Sequence, residues 1–567
     1  MVTERVAFQA EREGGGVLTS EEAVSSGNIQ IIGALAGAGV LSGCGGGTEK
    51  TSAPASVAVS ISEAQASRFL AQATIGYSKS DISAVRSMGV GPWLNMQFGM
   101  TRPQTFWDFL IAGGFDAAAN INSTSGFDPM IWSQLMSSSD IVRQRIGLAL
   151  LDIWAVGIDG INTSWRPFVM AAYLDVLWDN ALGNYRDIME GVSTSVAMGS
   201  FLTYLGNVKA NPATGAIPDE NYARELMQLF TIGLYELNMD GSQVLSAGAP
   251  VATYSQADVS QAARVWTGYN YASADNTTPA RMRMPMAIIA TRHETEATSL
   301  LNGAITIAAG TDGVAARKIA LDGLFNHKTL PPFVCRQLIQ RLVTSNPSGA
   351  YINRVANVFV NNGSGVRGDM KAVVRAILTD VEARDDAQIT STTFGKLRDP
   401  VQRLTHWARA FNVTSPTKLW PFGNVSSSAN RLGQSPGRTP SVFNWFRPGY
   451  TPPGTAIANG GLVAPEFQIT NEPSIIAYVN YMQALIISGA GEAKPDYSSL
   501  TALASDSQKL LIELNLVLAA DQISAATLAQ MKAALDTIAV ATSAGLNNRI
   551  YAAILLVMAS PEYLVLR

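Results

Sequence analysis

The stretch Ser62-Glu63-Ala64-Gln65-Ala66-Ser67-Arg68-Phe69-Leu70-Ala71-Gln72-Ala73-Thr74-Ile75-Gly76 decides the fold class of this chain. Ser62 followed three residues later by Gln65 has the form of a capping box, in which each side chain meets the other residue's backbone N–H. Phe69, Leu70 and Ala73 then recur at helical spacing, and Gly76 reads as the stop. Ser78-Lys79-Ser80-Asp81 opens the next helix in the same way. Helical spacing continues over 141–156, 168–181, 185–196, 221–234, 256–266, 313–325, 332–343, 351–361, 369–379 and 401–411. It returns over 475–487, 506–518, 525–540 and 547–558. Strand signals are scarce, and the best is a small hairpin pairing 287–291 with 304–308 around Asn302-Gly303. The expected fold is mainly α, one large multi-helix domain over 62–567 with that minor hairpin. Helix should exceed about 45% of residues, against roughly one-third in typical domains.

Between 412 and 474 the pattern breaks into Pro, Gly, Ser and Asn with interspersed aromatics. Irregular stretches of this length are uncommon inside compact domains and are often functional. Within this one, Ser441-Val442-Phe443-Asn444-Trp445-Phe446-Arg447-Pro448-Gly449-Tyr450 could stack a sugar or peptide on exposed rings. Trp445, Phe446, Arg447 and Tyr450 are therefore candidate ligand contacts. The competing reading has the same rings pinning an irregular segment onto the helices.

The chain's N-terminal part speaks to location. The apolar run over 31–40 is too short to span a bilayer, which takes about 20 residues, and has the length of a signal-peptide h-region. Leu41-Ser42-Gly43-Cys44 follows it and resembles a bacterial lipobox, in which the thiol is acylated and the preceding segment removed. Residues 1–30 carry Arg5 and Arg12 but also Glu4, Glu11, Glu13, Glu21 and Glu22, so no positive segment adjoins the run. A cytosolic leader with a chance Gly/Ala run is the competing reading. The expectation is a lipoprotein signal over 1–44 with Cys44 lipidated, a flexible Gly/Ser/Thr tether over 45–61, and an exported protein of the cell envelope. It would be an outer-membrane or periplasm-facing lipoprotein.

Of 567 residues, 47% are hydrophobic and 15% charged, enough apolar content for a large core. Net charge is −4, and removal of 1–44 takes away two basic and five acidic residues, leaving 38 against 39, or −1. That balance argues against a nucleic-acid partner, which selects clustered Lys and Arg. It leaves the lipid anchor as the means of holding a membrane. With Cys44 lipidated, Cys335 stands alone, so no intramolecular disulfide is expected, and its amphipathic surroundings suit a buried structural thiol. The three histidines, His293, His327 and His406, with no paired Cys, HExxH or EF-hand loop, give no expectation of a metal. No P-loop, dinucleotide fingerprint or GxSxG elbow is present, so no cofactor is expected.

Several blocks occur in a set order: Ser67 to Gly76, Trp93-Leu94-Asn95-Met96-Gln97-Phe98, Arg143-Gln144-Arg145-Ile146, and Asn180-Ala181-Leu182-Gly183-Asn184-Tyr185-Arg186. Then come Asp219-Glu220-Asn221-Tyr222-Ala223-Arg224-Glu225-Leu226-Met227-Gln228-Leu229-Phe230-Thr231-Ile232-Gly233 and Tyr254-Ser255-Gln256-Ala257-Asp258-Val259. Ala263-Arg264-Val265-Trp266-Thr267-Gly268-Tyr269 and Ser560-Pro561-Glu562-Tyr563 complete the set. Across about residues 62–567 this order resembles the bacterial family catalogued as domain of unknown function 1800. The resemblance implies an exported protein with no established activity, often encoded beside a secreted protein of alkaline-phosphatase-like fold, a candidate partner. After His293 the chain departs from the pattern, with Glu294, Glu296 and Thr298 where an Asp, a Gly and a Lys would stand.

The best chemical candidates are Glu220, Asn221, Arg224 and Glu225. On a helix, Glu220 and Arg224 share one face and Asn221 and Glu225 another, because each pair is four residues apart. A carboxylate and carboxamide beside an Arg–carboxylate pair could position a hydroxyl or serve acid–base chemistry. A polar first turn that caps itself and ties down a neighbouring helix is the competing reading. His293 is a further candidate, although on a strand His293 and Glu294 or Glu296 would point to opposite faces. Two function classes stand: a binding or assembly protein acting with a secreted partner, and a hydrolase-like enzyme acting on an extracellular polymer through the Glu220–Glu225 face.

Overall fold

Ser62 and Gln65 cap the helix Glu63–Ala73 reciprocally: Gln65 N–H donates to Ser62 Oγ at 3.1 Å and Ser62 N–H to Gln65 Oε1 at 3.0 Å. The same box recurs at Ser78 with Asp81, Ser255 with Asp258 and Asn471 with Ser474. Such caps satisfy first-turn N–H groups that have no intrahelical partner. The structure, a computed structural model, describes residues 61–567. Cys44, the leader and the tether up to residue 60 lie outside the described residues.

Helices of all kinds take 53% of the structure, and 24 α-helices lie among the described residues. The mainly α expectation holds. Observed helices such as Ile141–Ile153, Arg166–Asp179, Leu330–Leu342 and Pro400–Ala410 fall within a few residues of the periodic segments. β-structure among the described residues is confined to two-stranded pairs.

Four local expectations change. The helix expected over 185–196 stops at Ser193, because Ser195 starts a second one, Val196–Phe201, by accepting from Met198 N–H at 3.2 Å. Gly76 is not the helix stop, since Glu63–Ala73 has already ended at Thr74. A Cβ at Gly76 would lie 2.8 Å from both His406 Cα and Thr405 O, so the glycine permits a close approach of two segments. The hairpin turns at Asn302-Gly303 as expected, but Ile305–Ile307 pairs with Thr298–Leu300. Ala287–Ile288 pairs instead with Tyr269–Asn270. Thr298–Leu300 and Ile305–Ile307 both alternate buried, exposed, buried, and this matched alternation across a short turn outcompetes the unpatterned apolar run at 287–291. Asp258 Oδ1 anchors the hairpin by accepting from Leu301 N–H at 2.6 Å.

The helix expected over 221–234 is α-helical only over Asn221–Glu225. Leu226–Thr231 widens into a π-helix, in which Ile232 N–H reaches back to Met227 O at 3.0 Å. Such widened turns are rare and frequently mark functional sites.

One hydrophobic cluster runs through the described residues from Ala66 to Leu566, with Trp93, Trp132, Trp154, Trp165, Trp178, Trp266 and Trp407 fully buried. Much of the block pattern builds this core. Tyr204 stacks on Tyr222 at 4.3 Å and Trp266 meets Tyr222 edge-on at 4.9 Å. Segments far apart in sequence are tied together: Ser67 Oγ donates to Leu516 O at 2.7 Å and Arg68 Nε to Arg567 O at 3.0 Å. Lys396–Leu397 forms an antiparallel pair with Val565–Leu566.

Candidate functional site

The helix Asn221–Glu225 packs against Gln256–Val265, but its polar residues do not gather into one centre. Glu220 is consumed locally. Its Oε1 accepts from Ser260 Oγ at 2.5 Å, and its Oε2 from Arg224 Nη2 at 3.0 Å and Gln256 Nε2 at 2.9 Å. The Ser260 hydrogen bond, with help from Gln256 and Arg224, holds the Glu220 carboxyl below the usual range. Asn221 is exposed and makes a long 3.5 Å bond to Thr203 Oγ1. Glu225 takes no hydrogen bond among the described residues, and its Oε2 is buried without a partner. Burial raises its pKa, with Arg224 opposing. Arg224 thus binds Glu220 and Gln256 and leaves Glu225 unpaired.

His293 is 2% exposed, with Nδ1 3.0 Å from Thr267 O. The segment is not a strand: His293 follows the 3-10 turn Ala290–Arg292. Glu294 and Glu296 pair with Arg264. A Cβ at Gly313 would come within 3.1 Å of His293 Nδ1, so the ring is wedged between backbone segments. Cys335 is fully buried and burial raises its pKa, as suits a structural thiol. Among the described residues no group of three or more His, Cys, Asp or Glu is arranged to hold a metal.

Convergence occurs elsewhere. The π-helix Leu226–Thr231, the helix Leu330–Leu342 and the loop 442–449 enclose a cleft of two adjoining hollows, about 260 and 250 Å³. Leu229, Leu234, Phe333 and Phe443 form its apolar walls, with Gln228, Gln337, Arg341, Arg447 and Asp152 as its polar side. Gly233, at φ 70°, borders both hollows, and a Cβ there would sit 2.7 Å from the Phe333 ring. Arg336 lies on the second hollow and, like Arg447, is exposed.

Asp152 is partly buried at the end of Ile141–Ile153. Its Oδ1 accepts from Asn444 Nδ2 at 2.7 Å, while Oδ2 takes no hydrogen bond among the described residues. Beneath it lies a buried ionic network. Lys396 Nζ is 2.8 Å from Glu466 Oε1 and 3.5 Å from Asp399 Oδ2, and Arg145 Nη1 is 3.8 Å from Asp399 Oδ2. Lys396 Nζ also donates to Arg341 O at 3.1 Å, and Arg341 Nη2 to Asp152 O at 3.3 Å. Arg145, Arg341, Lys396, Asp399 and Glu466 are each no more than 5% exposed. Polar atoms remain unmatched: Asp399 Oδ1, Glu466 Oε2 and the Nε atoms of Arg145 and Arg341.

Burial, reinforced by Asp399, pushes the Asp152 carboxyl up to about 7, against the pull of Arg341, Lys396 and Arg145. Burial likewise raises Glu466, with Lys396 opposing, and lowers Arg145 and Arg341. Buried charges are costly, and clusters of perturbed groups beside a cleft are what functional sites are built from. A carboxyl that changes charge near neutral pH can exchange a proton with a ligand or match one of either charge.

Of the aromatic loop's candidates, Phe446 is 5% exposed and belongs to the packing, and Trp445 Nε1 donates to Ser435 O at 3.2 Å. Tyr450 is partly exposed. Arg447 lines the cleft, its guanidinium 4.4 Å over the Phe443 ring. Sequence reasoning missed Asp152 and the network beneath it. The available signal was that Arg145, Gly233 and Arg447 sit in three separate segments already singled out, which the fold brings to one place.

The sequence model of the family described as "Protein of unknown function (DUF1800)" matches residues 68–565, and the chain belongs to that family. No curated protein and no solved structure matches it.

Proposed function

We propose that this DUF1800 chain is an exported, lipid-anchored binding protein of the bacterial cell envelope, acting with a second secreted protein and taking its ligand in the Asp152 cleft. The apolar run ending in Leu41-Ser42-Gly43-Cys44 supports the anchor. The family's usual neighbourhood supports a secreted partner of alkaline-phosphatase-like fold. One observation carries the choice of site: Asp152 has one carboxylate oxygen fixed by Asn444 and the other left to the cleft, above a buried network of five charged groups.

A second reading, an enzyme acting on an extracellular polymer, gains from the same carboxyl. A group poised near neutral pH suits a general acid or base. Glu220, with its oxygens taken by Ser260, Gln256 and Arg224, suits that task less.

Radiolabelled palmitate should enter the wild type and not Cys44→Ser, and only the wild type should fractionate with membranes. Equal labelling, or an intact leader on a cytosolic protein, would end the anchor reading. Pull-down from detergent-solubilised envelopes should recover a secreted partner with the wild type and lose it with Arg447→Glu at unchanged melting temperature. Undiminished recovery with that variant would remove the cleft from the binding surface.

A further inference from the structure

A second cavity, of about 800 Å³, opens between the helices Phe127–Ser137 and Pro400–Ala410 and the loop 412–420. It shares no lining residue with the Asp152 cleft. Its size falls in the range of small-molecule sites, roughly 300–1,000 Å³.

Arg409 is its fixed cation. Nε donates to Leu135 O at 2.8 Å and Nη2 to Ser138 O at 3.0 Å, so two backbone carbonyls set the guanidinium plane. Neither carbonyl neutralises it, and no carboxylate among the described residues comes within ion-pair distance. Nη1 makes no hydrogen bond to the described residues. Burial lowers the pKa of Arg409 to about 10, with the more distant Asp81 and Asp140 carboxylates opposing, so it stays charged at neutral pH. Lys418, exposed on the rim, also lacks an ion pair among the described residues.

The rest of the lining is rich in hydroxyls and amides. Thr414 Oγ1 and the Asn412 side-chain carboxamide make no hydrogen bond among the described residues, and Gln134, 4% exposed, has an unmatched Oε1. Asp81 stands on the wall as an acceptor, its Oδ2 already binding Ser78 N–H and Oγ. The loop holds three non-glycine residues in the left-handed region, Asn412 at φ 46°, Lys418 at 62° and Trp420 at 44°. Strain of this kind gathers at ligand sites.

We propose that this cavity binds a polyhydroxylated anion, a sugar acid or sugar phosphate, with Arg409 as the preset counter-charge and Lys418 as the mobile one. The anionic group lies on Arg409 Nη1, and the hydroxyls meet Thr414, Asn412 and Asp81. A neutral sugar would leave the guanidinium unmatched, and a bare anion would leave the hydroxyl-binding wall unused.

Titration calorimetry on the full chain tests this with glucuronate, glucose 6-phosphate, glucose and inorganic phosphate. At least one charged sugar should bind about ten-fold or more tighter than both glucose and inorganic phosphate, as a charge-assisted hydrogen bond allows. The tighter of the two identifies the anionic group as carboxylate or phosphate. Lys418→Glu should weaken that binding about ten-fold at an unchanged melting temperature. Equal affinity for glucose, equal affinity for inorganic phosphate, no binding at all, or full affinity in Lys418→Glu would each overturn the proposal. None of these readouts involves Cys44, Asp152 or a protein partner, so this site and the cleft stand or fall separately.

Discussion

Asn444 latches the aromatic loop to the helix Ile141–Ile153 by donating from Nδ2 to Asp152 Oδ1 across 2.7 Å. Asn444 is 8% exposed and sits at φ 56°, a conformation asparagine tolerates better than most residues. Asn444→Ala should therefore cost about 1–3 kcal/mol in urea unfolding, through both the lost donor and the backbone. Limited proteolysis should become faster within 441–450. Wild-type protease resistance in that loop would show that the latch does not hold it.

The pH dependence of stability carries the sign of the Asp152 shift. Its folded pKa is raised from 3.8 to about 7, so between those values the folded chain holds more protons than the unfolded one. Stability from this group is then fullest at low pH and declines as pH rises through the window. Asp152→Asn removes the titration while keeping an acceptor for Asn444. Wild-type stability minus that of the variant, from urea midpoints, should fall between about pH 4 and pH 7 and level off above. A difference that rises across that window would contradict the shift.

Glu225→Gln should leave the melting temperature unchanged or slightly higher at pH 7, because the wild-type carboxylate is partly desolvated and unpaired. Arg224→Met should cost less than about 1 kcal/mol, since the Arg224 side chain is 36% exposed and its pair with Glu220 lies near the surface. A drop of many degrees in both would make this face scaffold.

Lys396 and Glu466 form the tightest buried pair beneath the cleft, 2.8 Å apart with side chains 0% and 2% exposed. Lys396→Met should cost about 3–5 kcal/mol by stranding Asp399 and Glu466. Adding Glu466→Gln should recover part of that loss, and a double-mutant cycle measures how much. Full additivity of the two would mean that the pair is not coupled.

The sequence was most legible where the determinants are local. Ser62–Gln65, Ser78–Asp81 and Ser255–Asp258 each carry a complete capping instruction within four residues, and helices start there. The hairpin's turn was equally local, but its strands were not, because three-residue strands give too little alternation to read. The Glu220–Glu225 face drew attention because four-residue spacing is visible in sequence, yet the fold spends Glu220 on Ser260 and Gln256. Asp152, Arg341, Lys396, Asp399 and Glu466 each look like an ordinary surface charge in their own segment. Only the packing of distant segments brings them together, and no local pattern encodes that.

The bonds from Ser67 to Leu516 and from Arg68 to Arg567, with the pairing of Lys396–Leu397 to Val565–Leu566, give the chain an order of assembly. The helix Glu63–Ala73 meets these partners only when residues 516–567 have emerged. Closing such distant contacts is slow, and it leaves apolar surface open in the meantime. Synthesis can run from Glu63 to Arg567 before the helix Glu63–Ala73 is seated. A chaperone therefore has the interval between the synthesis of Glu63–Ala73 and that of Arg567 in which to engage a chain that has not yet closed.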